Sequence, residues 1–492
     1  MELVFSDAKN GEKTCASGGK YLHSSYNPTR EAEQYVAHLS APFNPSAVII
    51  IEPALSYCAP FLRKRFPDAT LCAVRLSNDF SASDGAWDSV FAADGALADI
   101  LFCRLGEETL CAALFFAWQP SEQVFSAETT DVWQAIKAAV LKSRDVLATR
   151  AYFAKRWIKN TVRFCARVQN TALIQKGSAD IIVAASGPSL RTSLPFLAQH
   201  RASFFLLAVS SALLPLLHAG ITPDVVLSTD GGFWAKKHLA LSGYDVSAVP
   251  FALAAEGACP AAVLKTNVIV PLYYEDGIEK DFFTACTIPA MSATRNGTVS
   301  GTAIALALAL TSGNVYACGL DLAPAQGFQH TGPNALEAQD EAKDNRLRTK
   351  QTRIAASACN GGALTVYRDW FAAESERLAK RVFRLSDSYP FVHTLGKMRD
   401  VDWDFFTREH ASAPSTTIFP RIVRTELPHT DRARVIRTCA DACFAGDAYD
   451  AELCPVESLM QKRALTEHER AAYTETIARK KAQFVRELEQ RI

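Results

Sequence analysis

Between residues 178 and 330 short apolar runs alternate with helix-like segments, and no other feature of the chain restricts its fold as much. Ile181–Ala185, Phe204–Ser210, Val225–Thr229, Phe251–Ala254, Val268–Pro271 and Val315–Gly319 read as strands, with Leu213–Ala219 and Gly301–Thr311 among the intervening helices. Such unbroken apolar runs suit a sheet covered on both faces. The alternation therefore predicts an α/β fold with a doubly wound, mostly parallel sheet, whose ligands sit beyond the carboxyl ends of the strands.

The stretch Ile181 to Leu190, IIVAASGPSL, reads as a strand delivering a tight loop to a helix start. Free backbone N–H groups and the helix dipole favour a phosphate there, which makes a nucleotide or nucleotide-sugar site the leading idea. Gly187 would let the backbone approach a ligand, Pro188 suits a first helical turn, and Ser189 adds a hydroxyl donor. Neither GxGxxG nor GxxxxGK[ST] is present, so the loop is not a dinucleotide fingerprint or a Walker loop.

Four further loops follow predicted strands and can converge on the same crevice: Ser210-Ser211, Thr229-Asp230-Gly231-Gly232, Asn296 to Thr302, and Gly319-Leu320-Asp321-Leu322. Ser300, Gly301 and Thr302 open a helix, where hydroxyls and unpaired N–H groups serve a second anion or an ordinary cap equally well. Asp230 and Asp321 could hold a ribose hydroxyl, a metal or an acceptor, or cap the next helix. His330 lies in a polar loop beyond Asp321, where a neutral imidazole could take a proton from an attacking hydroxyl, although a lone loop histidine is more often a solvated side chain.

At 492 residues the chain is long enough for several domains. Residues 1–125 read as a small α/β domain with strands at Ala47–Ile51, Thr70–Val74 and Ile100–Cys103. Residues 126–177 read as a helical connector, 178–395 as the catalytic domain, and 396–492 as a mainly helical region, with a helix also expected from Asp369 to Val382. The 52 basic and 52 acidic residues cancel, so no global field attracts nucleic acid or an anionic membrane. Thirteen cysteines without CxxC pairs fit a reducing, cytoplasmic setting better than a disulfide scaffold. No signal peptide or membrane span is expected, since the most apolar stretch, Ala303 to Leu310, is far short of the roughly 18 residues a span needs.

Tyr21 to Pro28 (YLHSSYNP), followed by Arg30-Glu31-Ala32, resembles the N-terminal signature of the bacterial motility accessory factor family. The central block is similar to that family's core, shared with archaeal MptE-like hydroxymethylpterin pyrophosphokinases: Gly187-Pro188-Ser189-Leu190, Ala219 to Asp224 leading to Asp230, and Gly319 to Ala323 leading to His330. Phe153 and Trp157 on the connector also fit. The chain departs from the pattern at Ile51-Glu52-Pro53-Ala54-Leu55, where relatives often show a Gly-rich turn.

The resemblance implies a Rossmann-like, sialyltransferase-like catalytic domain and a flagellin glycosyltransferase that moves a nonulosonic acid, of the pseudaminic or legionaminic type, from a CMP-sugar to Ser/Thr hydroxyls. It implies nucleotide contacts at Gly187, Pro188, Ser189, Ser300, Gly301 and Thr302, with His330 a candidate catalytic base; Leu190, Ser210, Asp230 and Gly231 are expected to complete the nucleotide site and Asp321 the catalytic one. Magnesium, if used, would fall to Asp230 or Asp321. The rival readings are an ATP- and magnesium-dependent pterin pyrophosphokinase, using the same loop, and a non-catalytic flagellin-binding chaperone.

Overall fold

The computed structural model describes residues 2–241, 243–322, 330–337, 341–352, 367–368, 370–371, 378–386, 395–411, 417–428 and 430–490. Residues 327–329, most of the helix expected over 369–382, and residues 387–390 lie outside that set. The chain divides into two compact units, Met1–Ala154 with Ala448–Gln483, and Lys155–Asp447 with Phe484–Ile492. The division falls within the 42-residue helix Ser126–Arg167.

The first unit carries an antiparallel sheet, β1 (Val4–Asp7), β2 (Lys13–Ser17) and β3 (Lys20–Tyr21), and a parallel one, β4 (Ala47–Ile51), β5 (Thr70–Arg75), β6 (Ser89–Ala92) and β7 (Ala113–Ala117), in the order β6-β5-β4-β7. Every residue of β4 is buried because successive side chains enter opposite cores: Val48 and Ile50 pack with Leu62 and Trp118, while Ala47, Ile49 and Ile51 pack with Leu101 and Ile136. The Ile100–Cys103 run is not a strand; it lies within the helix Leu97–Cys111, where Leu97 and Leu101 are buried on one face. Four apolar residues in a row suit a helix interior as well as a strand, and only packing separates the two.

The second unit is built on an 11-stranded sheet. Its strands are β8 (Thr171–Gln175), β9 (Ile181–Ala184), β10 (Phe205–Val209), β11 (Val225–Ser228), β12 (Phe251–Ala254), β13 (Ile269–Tyr274), β14 (Met291–Ala293), β15 (Val315–Cys318), β16 (Val382–Leu385), β17 (Arg399–Val401) and β18 (Arg421–Thr425). The order is β17-β16-β15-β9-β10-β11-β12-β13-β8-β18, with β14 also on β13, and every pair is parallel except β8 with β18. All six strands expected in the central block are present, so the fold is doubly wound as the alternation implies. Val382 begins β16 instead of ending a helix, and β8, in the expected connector, joins the sheet beside β13.

From β9 the chain winds outward through β10 to β13, whereas from β15 it winds the other way through β16 to β17. The winding therefore reverses between β9 and β15, and the loops at their carboxyl ends border the crevice where a doubly wound sheet of this kind takes its ligands. The helix Val299–Leu310 crosses from β14 back to β15. It buries Ala303, Ile304, Leu306, Ala307 and Leu310, and its small alanines allow close approach to the sheet.

Candidate functional site

The loop after β9 is held by the loop after β15. Gly187 donates its N–H to the Gly319 carbonyl at 2.7 Å, and a Cβ at Gly187 would fall 2.5 Å from that oxygen and 2.7 Å from Asp321 Oδ2. Glycine is required here for contact between two protein loops, which is a different reason from the ligand approach expected of it. Gly319 itself has φ +66°, with a Cβ position overlapping the Ala185 carbonyl, so it too must lack a side chain.

Asp321 is buried and receives the Ser189 N–H on Oδ2 at 2.6 Å and the Ser189 hydroxyl on Oδ1. Leu190, Arg191 and Thr192 donate their N–H groups to the carbonyls of Gly187, Pro188 and Ser189. The anion at this helix start is thus the protein's own carboxylate, which corrects the expectation of free N–H groups awaiting a phosphate. Burial raises the Asp321 pKa, while the two Ser189 bonds and the Arg384 charge pull it down. Arg384, itself buried, is held by Asp400, with Nη2 to Oδ2 at 2.8 Å.

Beside this lock lies a hydroxyl–imidazole chain. Ser211 Oγ donates to Ser186 Oγ at 2.7 Å, Ser186 Oγ meets His330 Nδ1 at 2.8 Å, and the Thr331 N–H donates to the Ser186 carbonyl at 2.8 Å. The link to His330 is through Ser211, whereas Ser210 is buried at the foot of the turn Ser210–Ala212. The protein packed around the imidazole lowers its pKa, although part of the residue stays open to solvent.

Two residues without a sequence signal join the crevice. His238 is buried and its pKa is lowered to about 4, first by burial and then by the charge of His330, with Asp230 opposing. Tyr367 feels burial and Asp230, both raising its pKa, and its ring carbon lies 3.3 Å from the Cβ position of Gly297. Asp230, His238, His330 and Tyr367 are therefore electrostatic neighbours drawn from four places in the chain. Asp230 is exposed and uses Oδ1 to accept the Gly232 N–H at 2.7 Å. A Cβ at Gly231 would overlap the Trp157 indole, and Asn160 donates to the Glu256 carbonyl at 2.8 Å, so the connector helix supports this loop. The exposed pair Phe233 and Trp234 follows directly, edge to face at 5.2 Å.

At the helix Val299–Leu310, Thr298 is the cap, accepting the Gly301 N–H at 2.8 Å. A Cβ at Gly301 would overlap Asn296, and the buried Thr302 donates its hydroxyl to the Thr294 carbonyl at 3.1 Å. Of the expected trio, Gly301 and Thr302 are buried and Ser300 is half-buried. Next to this start, Arg295 pairs with the buried Glu256 at 2.8 Å and lies over the Tyr274 ring at 4.3 Å. Burial outweighs the attraction of Arg295 and lifts Glu256 to about 7. Among the described residues no group of three or more His, Cys, Asp or Glu is placed to hold a metal ion.

The family described as 6-hydroxymethylpterin diphosphokinase MptE-like matches residues 155–327, the span that contains β8 to β15 and most of the crevice. Residues 155–327 thus resemble the MptE-like family. Two uncharacterized proteins of Treponema pallidum (strain Nichols) are similar to the chain. One is 29% identical over 65% of this chain and 70% of its own length, and the other 26% identical over 40% of this chain and 73% of its own. The fold as a whole is similar to that of a Maf glycosyltransferase from Magnetospirillum magneticum AMB-1, at a TM-score of 0.51 and 13% identity, covering 100% of this chain and 92% of that one. The MptE-like match thus lies within a chain whose fold is similar to that of a Maf glycosyltransferase along its whole length. No described helix is long and apolar enough to cross a membrane.

Proposed function

We propose that this chain is a glycosyltransferase that moves a nonulosonic acid from its CMP donor to Ser/Thr hydroxyls of flagellin in the cytoplasm. The observation that carries the reading is the placement of His330, backed by Ser186 and Ser211, at the crevice where the winding of a Maf-like fold reverses. In the tautomer in which His330 Nδ1–H donates to Ser186 Oγ, the other ring nitrogen keeps a free lone pair. That nitrogen accepts the proton of the acceptor hydroxyl as its oxygen forms a bond to the anomeric carbon. The carbon–oxygen bond to CMP breaks in the same displacement, and CMP leaves with the electron pair.

Asp321 is a positioning residue in this scheme, because both of its oxygens are spent on Ser189. Gly187, Pro188, Ser189 and Leu190 then shape the loop that borders the nucleotide, while Ser210, Asp230, Gly231, Ser300, Gly301 and Thr302 line or brace the remaining walls. Asp230, exposed at the crevice, is the carboxylate available for magnesium or a ribose hydroxyl.

The description of the MptE-like family supplies a second reading, a pterin pyrophosphokinase using ATP and magnesium. Thermal shift of the purified protein with CMP, a CMP-nonulosonate and ATP, with and without magnesium, separates the two, since only a ligand of the folded state raises the midpoint. Stabilisation by the cytidine ligands, followed by transfer to flagellin, supports the glycosyltransferase. Stabilisation by ATP with magnesium alone overturns it, and flagellin binding without transfer by an intact protein points to a chaperone.

A further inference from the structure

The loop after β4 in the first unit holds Glu52, Ala54 and Ser56 at φ of +40°, +46° and +64°, a left-handed backbone in three non-glycine residues within five positions. Such conformations persist only where the surroundings impose them, and they gather at binding sites. The imposing structure here is a buried charge network. Arg75 reaches Glu52 Oε1 at 2.8 Å, Asp84 Oδ1 at 2.8 Å, the Ala54 carbonyl at 2.9 Å and the hydroxyls of Ser56 and Ser83 at 3.0 and 2.9 Å. Glu52 also accepts the N–H groups of Ala54, Leu76 and Ser77.

In the order β6-β5-β4-β7 the winding reverses between β4 and β7. The crevice expected there is filled by the protein itself: Trp118, just after β7, donates to the Leu22 carbonyl at 2.7 Å, and the Leu55 N–H donates to His23 Nε2 at 3.1 Å. The opening lies instead on the β5 side of the strained loop. An open cavity of about 390 Å³, a depression in the surface and not an enclosed chamber, is bounded there by Leu55, Ser56 and Tyr57 from that loop, Phe61 beyond it, and Ala82 and Ser83 from the turn after β5.

We propose that this cavity is a nucleoside site, separate from the crevice of the second unit. Its size is that of a small-molecule pocket, its position at strand carboxyl ends is where parallel sheets take nucleosides, and Tyr57 and Phe61 offer aromatic surface to a planar base. No lysine or arginine lines it, and the nearby Arg75 guanidinium is saturated by two carboxylates, a carbonyl and two hydroxyls. The ligand is therefore the uncharged nucleoside and not its phosphate.

The test uses the full chain with adenosine, guanosine, cytidine and uridine at millimolar concentration, followed by thermal shift and equilibrium dialysis. Ala82→Trp fills the cavity from an exposed position, and Gly85→Leu does so from a glycine whose Cβ position has nothing within 4 Å. At least one nucleoside should bind saturably and raise the midpoint by about 2 °C or more. Both variants should lose that binding while keeping the wild-type midpoint without ligand. Failure of all four nucleosides to bind overturns the proposal, as does binding that is as strong in both variants as in the wild type. Neither result bears on CMP binding in the second unit.

Discussion

Asp321 takes both the N–H and the hydroxyl of Ser189, so the carboxylate at the end of β15 occupies the helix start that follows β9. The parallel strands β9 and β15, from which the chain winds outward in opposite directions, are locked at their carboxyl ends. Asp321→Ala should destabilise the protein by about 2–4 kcal/mol in chemical denaturation, because a buried N–H and hydroxyl lose their charged partner. An unchanged midpoint would remove the lock from the account.

Gly187→Ala tests the same contact from the other side. Its new methyl would meet the Gly319 carbonyl and Asp321 within 2.7 Å, and the loops would have to separate. A loss of about 1–3 kcal/mol is expected, together with loss of CMP-induced stabilisation.

His330→Gln should cut transfer by about a hundredfold or more while leaving CMP-induced stabilisation intact, as for removal of a general base. In the wild type, kcat/KM should rise with pH through a value below the ordinary histidine range and then level off, because His330 must be neutral to accept a proton. Wild-type rates in the Gln variant would exclude His330 from the chemistry.

Glu256 and His238 pull the pH dependence of stability in opposite directions. The folded pKa of Glu256 is raised from 4.5 to about 7, so the native state holds the extra proton in that window and stability falls as pH rises through it, by up to ~3 kcal/mol. His238 is lowered from 6.5 to about 4, so the unfolded state holds the extra proton and stability falls as pH drops from 6.5 toward 4, again by up to ~3 kcal/mol. Glu256→Gln should remove the first slope and His238→Gln the second, each read from denaturation midpoints across pH 4 to 8.

In the first unit, Arg75→Met should cost about 3–5 kcal/mol, since it leaves Glu52 buried without its cation. If the left-handed loop depends on this network, the variant should also lose any nucleoside binding. Retained stability would mean that the loop holds its own conformation.

Strands β9 to β13 and β15 were legible because each is an apolar run buried on both faces, which hydrophobicity alone records. β14, β16, β17 and β18 were not: Met291–Ala293 and Arg399–Val401 are three residues long, Val382–Leu385 is buried but interrupted by Arg384, and the exposed edge Arg421–Thr425 carries no apolar run, so pairing with a neighbour decides them. The site divides in the same way. Gly187, Ser189, Asp321 and His330 stand out as punctuation after strands, whereas His238 and Tyr367 are ordinary residues in their local sequence. Their place beside the site arises when segments far apart in the chain meet, as with His238 and His330, 92 residues apart, or Ser186 and His330, 144 apart.

The sequence by itself determined that the central chain forms a parallel sheet with loops gathered at its carboxyl edge, because burial of apolar runs needs no knowledge of which strand neighbours which. Only the tertiary structure decided that β15 lies against β9. That adjacency turns Asp321 from a candidate catalyst into a clasp on Ser189 and brings Ser211, Ser186 and His330 into one chain of hydrogen bonds. Side-chain partnership across a sheet depends on strand order, and strand order is set by the packing of the whole unit.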